Sequence, residues 1–466
     1  MHLADEILLQ ILEHFSISFP EYKPSWENVP FPEELVTLAR LCRSSRRLRG
    51  LAEPILYHAI PYDSKNRRLL WRTLVERPDL RALVKSIHLD SELPPNELTS
   101  LLEAARPSLD ISEDLAEQLF ADLRLGQDRK NQVEENESED EDEDGEENEQ
   151  YYRTRHVELQ FAMLLLPKLD LVELASYYDL GPFMYDLFGS LRAGADTKAG
   201  CAPHLASLRE VRIRNKLQEE RLGLRPAGIL ALSHIQSLQA QQVYWNFHDI
   251  DRKYPGAYLS VRSIDLSDSI CNGPALSDML SRCPELRELR IEWGLSFDDW
   301  EDELDFGSIG DALRRHGQRL EWLNLDCREA YPYGYSDDDL GSIGSLRALV
   351  NLKRLTLTHD MLIGRDWDDF DIDEDTLRAE TFRLSELLPV SLEELHFYSC
   401  QGDEEQLDDQ LYDLIAPGGK HMGSLRKVIM EGRETNFGRQ IFEFGWVAYK
   451  INANVVLEKD GKLIMT

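Results

Sequence analysis

Apolar residues in this chain return to one spacing, apolar-x-x-apolar-x-apolar. The copies are Val84/Ile87/Leu89, Leu169/Val172/Leu174, Leu208/Val211/Ile213, Val261/Ile264/Leu266, Leu286/Leu289/Ile291, Leu320/Leu323/Leu325, Leu352/Leu355/Leu357, Leu392/Leu395/Phe397 and Leu425/Val428/Met430. Ile235/Leu238/Ala240 is a weaker copy. From residue 208 onward the copies begin 25 to 40 residues apart. The alternating end of each triplet predicts a short strand. Between them, ALSDMLSRC (275–283), GSIGDALRRHG (307–317), LRAETFRLSELL (377–388) and LDDQLYDLI (407–415) predict helices. A strand followed by a helix cannot bury its apolar face alone, so stacked neighbours must close the core. The predicted class is α/β: an irregular solenoid with a parallel concave sheet and outer helices, behind a small N-terminal helical module.

That module has a different period. Leu3, Ile7, Ile11 and Phe15 recur every fourth residue, and Leu8 and Leu12 widen the stripe. Asp5 and Glu6 sit in the first turn, where the helix dipole favours them. Pro20, Pro24, Pro30 and Pro32 mark a loop, and a second periodic stretch starts near Glu33 with Leu35, Leu38, Leu41 and Cys42. Leu48, Leu51, Ile55 and Leu56 continue it, and Pro54 is expected to end or kink it. The expected division is a helical module over 1–60 and a repeat domain over 61–466.

Charge adds one interruption. Residues 134–149 read EENESEDEDEDGEENE, twelve acidic residues of sixteen, which predicts a disordered insertion at about 128–150. Ser138 within it is a candidate site for an acid-directed kinase. The formal net charge is −34, which opposes coating of nucleic acid or anionic membrane. Six scattered cysteines without a CxxC pair argue against a disulfide framework and a structural zinc site. The acidic start MHLADEILLQ lacks the layout of a signal peptide, and FAMLLL at 161–166 is too short to span a bilayer. A cytoplasmic or nuclear protein with reduced thiols is expected.

The repeated spacing resembles that of the leucine-rich repeat family, LxxLxLxxN/C; Leu392, Leu395, Phe397 and Cys400 occupy all four marked positions. Residues 3–59 resemble an F-box. Leu3-Ala4-Asp5-Glu6-Ile7 stands where that family has LPxEI, Ile11 and Phe15 continue the first helix, and Leu35, Leu38, Leu41 and Cys42-Arg43 match LxxLxxVCR. AEPILYHAI (52–60) is similar to the segment that leads from an F-box into its repeats. The resemblance implies a non-catalytic substrate receptor of a Skp–cullin–F-box ubiquitin ligase. Leu3, Ile7, Ile11, Leu35, Leu38, Leu41 and Cys42 would then dock a Skp-type adaptor, and through it a cullin, while the repeats hold a protein substrate. The alternative is an acidic repeat scaffold or chaperone for basic proteins, independent of ubiquitin.

Candidate chemistry is sparse. GxxxxGK[ST], GxSxG, HExxH and GxGxxG are absent, so no catalytic site, metal site or cofactor is expected. The DWDDFDIDEDT stretch (366–376) lacks the spacing of an EF-hand loop. Side chains alternate along a strand, so residues flanking the apolar positions should face away from the core. This predicts Arg212, Arg290, Trp322, Asn324, Thr356, His396 and Tyr398 as substrate contacts on the concave face, with Trp322 and Tyr398 as anchors. Trp293, Trp300, Tyr331, Tyr333 and Tyr335 are candidate aromatics at its rim.

Overall fold

The computed structural model describes residues 4–15, 33–60, 67–89, 93, 95–109, 117, 157–176, 207–215, 222–224, 234–245, 260–294, 304–328, 330, 341–363, 383–398, 410–411, 414–415, 423–431, 446–451 and 454–459. Leu3, Trp300, Tyr331, Tyr333, Tyr335, Cys400 and the segments 134–149 and 366–376 lie outside these residues. The chain is mixed α/β and forms two compact units, Met1–Leu217 with Pro226–Ile235, and Gln218–Arg225 with Gln236–Thr466.

The first unit begins with three helices, α1 (Asp5–Glu13), α2 (Glu33–Ser44) and α3 (Arg46–Leu56). Ser45 caps α3 by accepting a hydrogen bond from the Leu48 amide at 3.1 Å. Pro54 lies inside α3, which runs on through Ile55 and Leu56, so the helix does not end at the proline as expected. The helices do not stand apart from the sheet: strand β1 (Ala59–Ile60) follows and pairs in parallel with β2 (Ser86–Leu89). Helices α4 (Arg67–Glu76) and α5 (Pro78–Arg81) lie between those strands in the chain. After α6 (Pro95–Ala105) and α7 (Val157–Leu165) come β3 (Leu171–Ser176) and β4 (Glu210–Asn215), continuing the parallel order β1-β2-β3-β4.

The second unit carries the longer run of strands. Its strands are β6 (Ser237–Gln241), β8 (Ser263–Ser269), β9 (Glu288–Trp293), β10 (Trp322–Asp326), β11 (Arg354–Thr358), β12 (Glu394–Tyr398) and β13 (Lys427–Glu431), all parallel. The short β5 (Leu222–Leu224) and β7 (Val243–Trp245) pair separately. Helices α8 (Gly273–Arg282), α9 (Phe306–His316), α10 (His359–Ile363) and α11 (Leu384–Leu387) occupy connections. The predicted helices at 275–283 and 307–317 are therefore present; of 377–388, the described helix is α11 alone. Asn272 and Asp305 cap α8 and α9 through the amides of Ala275 and Ser308. These two helices pack so closely that a methyl on Gly273 would meet the Ser308 side chain, and a methyl on Gly310 would meet the Ile343 carbonyl of the segment before β11.

Every triplet residue with a described side chain is buried. In the second unit the register stacks them into ladders: Leu238, Ile264, Leu289, Leu323, Leu355, Leu395 and Val428 form one, and Ala240, Leu266, Ile291, Leu325, Leu357, Phe397 and Met430 the next. A backbone device repeats with them. Two successive amides donate to one carbonyl of the preceding coil: Arg287 and Glu288 to Arg262, Glu321 and Trp322 to Arg287, Lys353 and Arg354 to Glu321, Glu393 and Glu394 to Lys353. The first unit uses the same device at Lys85, Asp170 and His58. The parallel run ends in an antiparallel hairpin, β14 (Trp446–Ile451) with β15 (Asn454–Lys459), whose second strand pairs with β13.

Candidate functional site

Helices α1 to α3 enclose a thin core of Leu12, Leu35, Leu38, Cys42 and Ala52. Phe15, Leu41, Leu51, Ile55 and Leu56 pack against it while partly buried. Leu35, Leu38 and Cys42, expected to face an adaptor, instead form this core, because α2 turns them toward α1 and α3. Burial pushes the Cys42 thiol above its usual range. Ile7 and Ile11 behave differently: each is 46% exposed, one turn apart on α1, and Val36 on α2 is 38% exposed. An exposed ion pair, Arg47 to Asp5 at 2.6 Å, ties α3 to α1 beside them.

The second candidate surface is the polar face of the large sheet. The register brings four of the predicted residues into one row beside Asp265: Arg290, Asn324, Thr356 and His396 follow it on β9 to β12. A neighbouring row holds Ser263, Glu288, Trp322, Arg354, Glu394 and Lys427. Trp322 is half-buried, and the Arg354 guanidinium lies 4.9 Å from its ring centre. Three predictions need correction: Asn324, Thr356 and Tyr398 are buried rather than accessible. The Tyr398 hydroxyl donates to Asn324 Oδ1 at 3.2 Å, and Arg328 covers its ring at 4.0 Å.

Arg328 is the residue that sequence reasoning missed. It holds both carboxylate oxygens of Asp326, at 2.9 and 2.7 Å, and reaches Glu431 on β13 at 2.8 Å. These carboxylates raise its pKa further. The Asp326-x-Arg328 spacing was visible, but the reach to β13 depends on stacking. His396 contacts Glu431 at 3.5 Å and leans on Tyr398, and burial lowers its pKa more than the carboxylates raise it. Upstream, Arg290 bridges Asp265 at 3.6 Å and Glu292 at 2.8 Å. Burial raises the pKa of both carboxyls, and Arg290 opposes the rise; at Glu292, repulsion from Asp326, Asp268 and Asp265 adds to it. Trp293, expected at the rim, is fully buried and donates Nε1–H to the Cys271 carbonyl at 3.0 Å, because alternation in β9 carries it inward after Leu289 and Ile291.

The corresponding face in the first unit seals one charged pair. His88, Glu173 and Arg212 are register neighbours, and His88 and Glu173 are both 0% exposed. Glu173 takes His88 Nδ1 at 2.7 Å and Arg214 Nε at 2.7 Å. Arg212, a predicted substrate contact, is mostly buried and pairs with Glu210 at 2.6 Å. A second buried centre lies nearby in the chain: Glu158 accepts from Trp71 Nε1 at 2.6 Å, the Leu93 amide at 2.8 Å and Arg67 Nε at 2.9 Å.

Among the described residues, no group of three or more His, Cys, Asp or Glu is placed to hold a metal ion, and no helix is long and apolar enough to cross a membrane. No protein-family model matches the chain, and no curated protein matches it. The chemistry on offer is therefore read from the surfaces themselves: an apolar stripe on a thin helical module, and ranks of hydrogen-bonding and charged groups on a sheet.

Proposed function

We propose that this chain is the non-catalytic substrate receptor of an F-box-type ubiquitin ligase, acting in the cytoplasm or nucleus. The helical module docks a Skp-type adaptor and, through it, a cullin. The parallel coils are read as irregular leucine-rich repeats whose polar face holds the protein to be modified. The mechanism is proximity: the receptor raises the local concentration of substrate at a catalytic partner.

The observation that carries this reading is the pair Ile7 and Ile11, left exposed on α1. A helix presenting apolar residues at i and i+4 suits a groove on a partner. Each isoleucine is already about half covered, so burying the rest on docking contributes about 0.7–1.4 kcal/mol. A module this thin also gains stability from a bound partner. The equal triplet spacing and the recurring two-amide staple support the repeat assignment.

Co-elution of the purified full chain with a purified Skp-type adaptor on size-exclusion chromatography tests the proposal. The expected result is a stable complex with the wild type and none with Ile7→Asp/Ile11→Asp, which should fold normally because neither residue is in the core. Failure of the wild type to co-elute, or an unaffected double variant, overturns it.

A further inference from the structure

The helical module carries a cationic cluster in a chain whose formal net charge is −34. Residues 39–50 read ARLCRSSRRLRG, with five arginines and no carboxylate. All five arginines are exposed. Two are engaged: Arg47 pairs with Asp5, and Arg49 Nε donates to the Cys42 carbonyl at 3.0 Å. Among the described residues, the guanidinium groups of Arg40, Arg43 and Arg46 have no ion-pair or hydrogen-bond partner. Other arginines of the first unit do find carboxylates, as Arg68, Arg72, Arg77 and Arg106 show.

The sequence explains the vacancy of these three charges. On a helix, a side chain is answered from three or four residues away. For Arg40 those positions in α2 hold Val36, Thr37, Arg43 and Ser44; for Arg43 they hold Ala39 and Arg40. For Arg46 in α3 they hold Arg49 and Gly50. None is acidic, so the arginines repel one another without compensation. Val36, Arg40 and Arg43 stand at i, i+4 and i+7, on one face of α2, and Val36 is 38% exposed. A methyl on Gly50 would meet nothing within 4 Å, so the Arg46 side of α3 is bare. The Arg47–Asp5 pair sets the start of α3 against the start of α1, the helix that exposes Ile7 and Ile11. The net charge of the chain narrows the choice of ligand. A long polyanion is repelled wherever it runs more than about 8 Å past the cluster, whereas a short acidic stretch of protein meets the arginines alone.

We propose that Val36, Arg40, Arg43 and Arg46 dock an acidic segment of a protein partner, through charge-assisted hydrogen bonds to its carboxylates around one apolar contact. The inference rests on the receptor reading above and gives the adaptor's matching face its chemistry, a run of Asp and Glu. Ile7 and Ile11 then supply the apolar half of the docking surface and slow dissociation. The arginines steer the encounter and set its salt dependence.

The test follows association of the full chain with a purified Skp-type adaptor at low and high salt, for the wild type, Arg40→Gln/Arg43→Gln/Arg46→Gln and the corresponding triple change to Lys. The Gln variant should associate on the order of tenfold more slowly at low salt, lose most of the salt dependence and dissociate within about twofold of the wild-type rate. The Lys variant keeps the charge and should associate within about threefold of the wild type. All three side chains are exposed, so both variants should melt with the wild type. The same chains are titrated by fluorescence anisotropy with a labelled peptide in which Asp and Ser alternate, and with a single-stranded oligonucleotide of equal charge. The peptide should bind the wild type saturably and the Gln variant on the order of tenfold more weakly. An association rate indifferent to the Gln change, failure of the peptide to bind saturably, or tighter binding of the oligonucleotide overturns the inference. Adaptor capture that ignores the Gln change defeats this inference alone. Arginine-dependent peptide binding, with no capture of the adaptor by the wild type, defeats the receptor reading alone.

Discussion

The same strand rule produces opposite outcomes in the two units. Residues flanking the apolar ladders carry charge in both. In the first unit His88 and Glu173 are sealed at 0% exposure. In the second, the Arg290 side chain keeps 29% of its surface and the Glu292 side chain 23%. A sealed charge must be matched within the fold, since leaving it unpaired is expensive. A partly exposed one can stay in surplus because water shares the burden. The sealed pair therefore contributes to stability, whereas the second row keeps its charged groups within reach of solvent.

The largest effect should come from the sealed side. Glu173→Ala strips His88 and Arg214 of their shared carboxylate and should destabilise the chain by about 3–5 kcal/mol in urea unfolding; a loss under 1 kcal/mol would erase the contrast. Next is the packed back of the second unit. Gly310→Ala drives a methyl into the Ile343 carbonyl and should cost about 1–3 kcal/mol, showing that this unit is intolerant where it is covered.

A pH effect follows in size. Burial lowers the His88 pKa, with the Arg212 and Arg214 charges adding to it and Glu173 opposing it. The unfolded state therefore binds the proton more readily, and stability should fall as pH drops through the ordinary histidine value of about 6.5. His88→Asn should flatten that acid limb in melts taken from neutral to mildly acidic pH; an unchanged slope counts against the assignment. The smallest effect is Glu292→Ala on the open face, within about 0.5 kcal/mol, because losing the Arg290 contact is offset by relief of carboxylate repulsion. A loss matching that of Glu173→Ala would mean the two faces are alike.

Much of the architecture could be read from spacing alone. The apolar triplets with described side chains all fall in the core, since a strict period leaves each residue one face to choose. What eluded that reading depended on contacts between distant coils. Tyr398 is covered by Arg328, which lies far away in sequence. Leu35, Leu38 and Cys42 share the apolar character of Ile7 and Ile11, and only the packing of α2 against its neighbours decides which of them is left outside. The closing hairpin left little trace, because WVAYKI and NVVLEK carry short apolar runs rather than a clean apolar–polar alternation. Trp293 needed the alternation to be followed two residues further.

The two-amide staple at the start of each strand uses no side chain, so the identity of the amino acid at those rungs is chemically irrelevant to holding adjacent coils in step. Evolution is free to rewrite the outward lettering of each turn, with a single prohibition. Imino acids cannot donate, so a proline scan across 287–288, 321–322, 353–354 and 393–394 should read as a barcode of intolerant pairs set in otherwise permissive sequence.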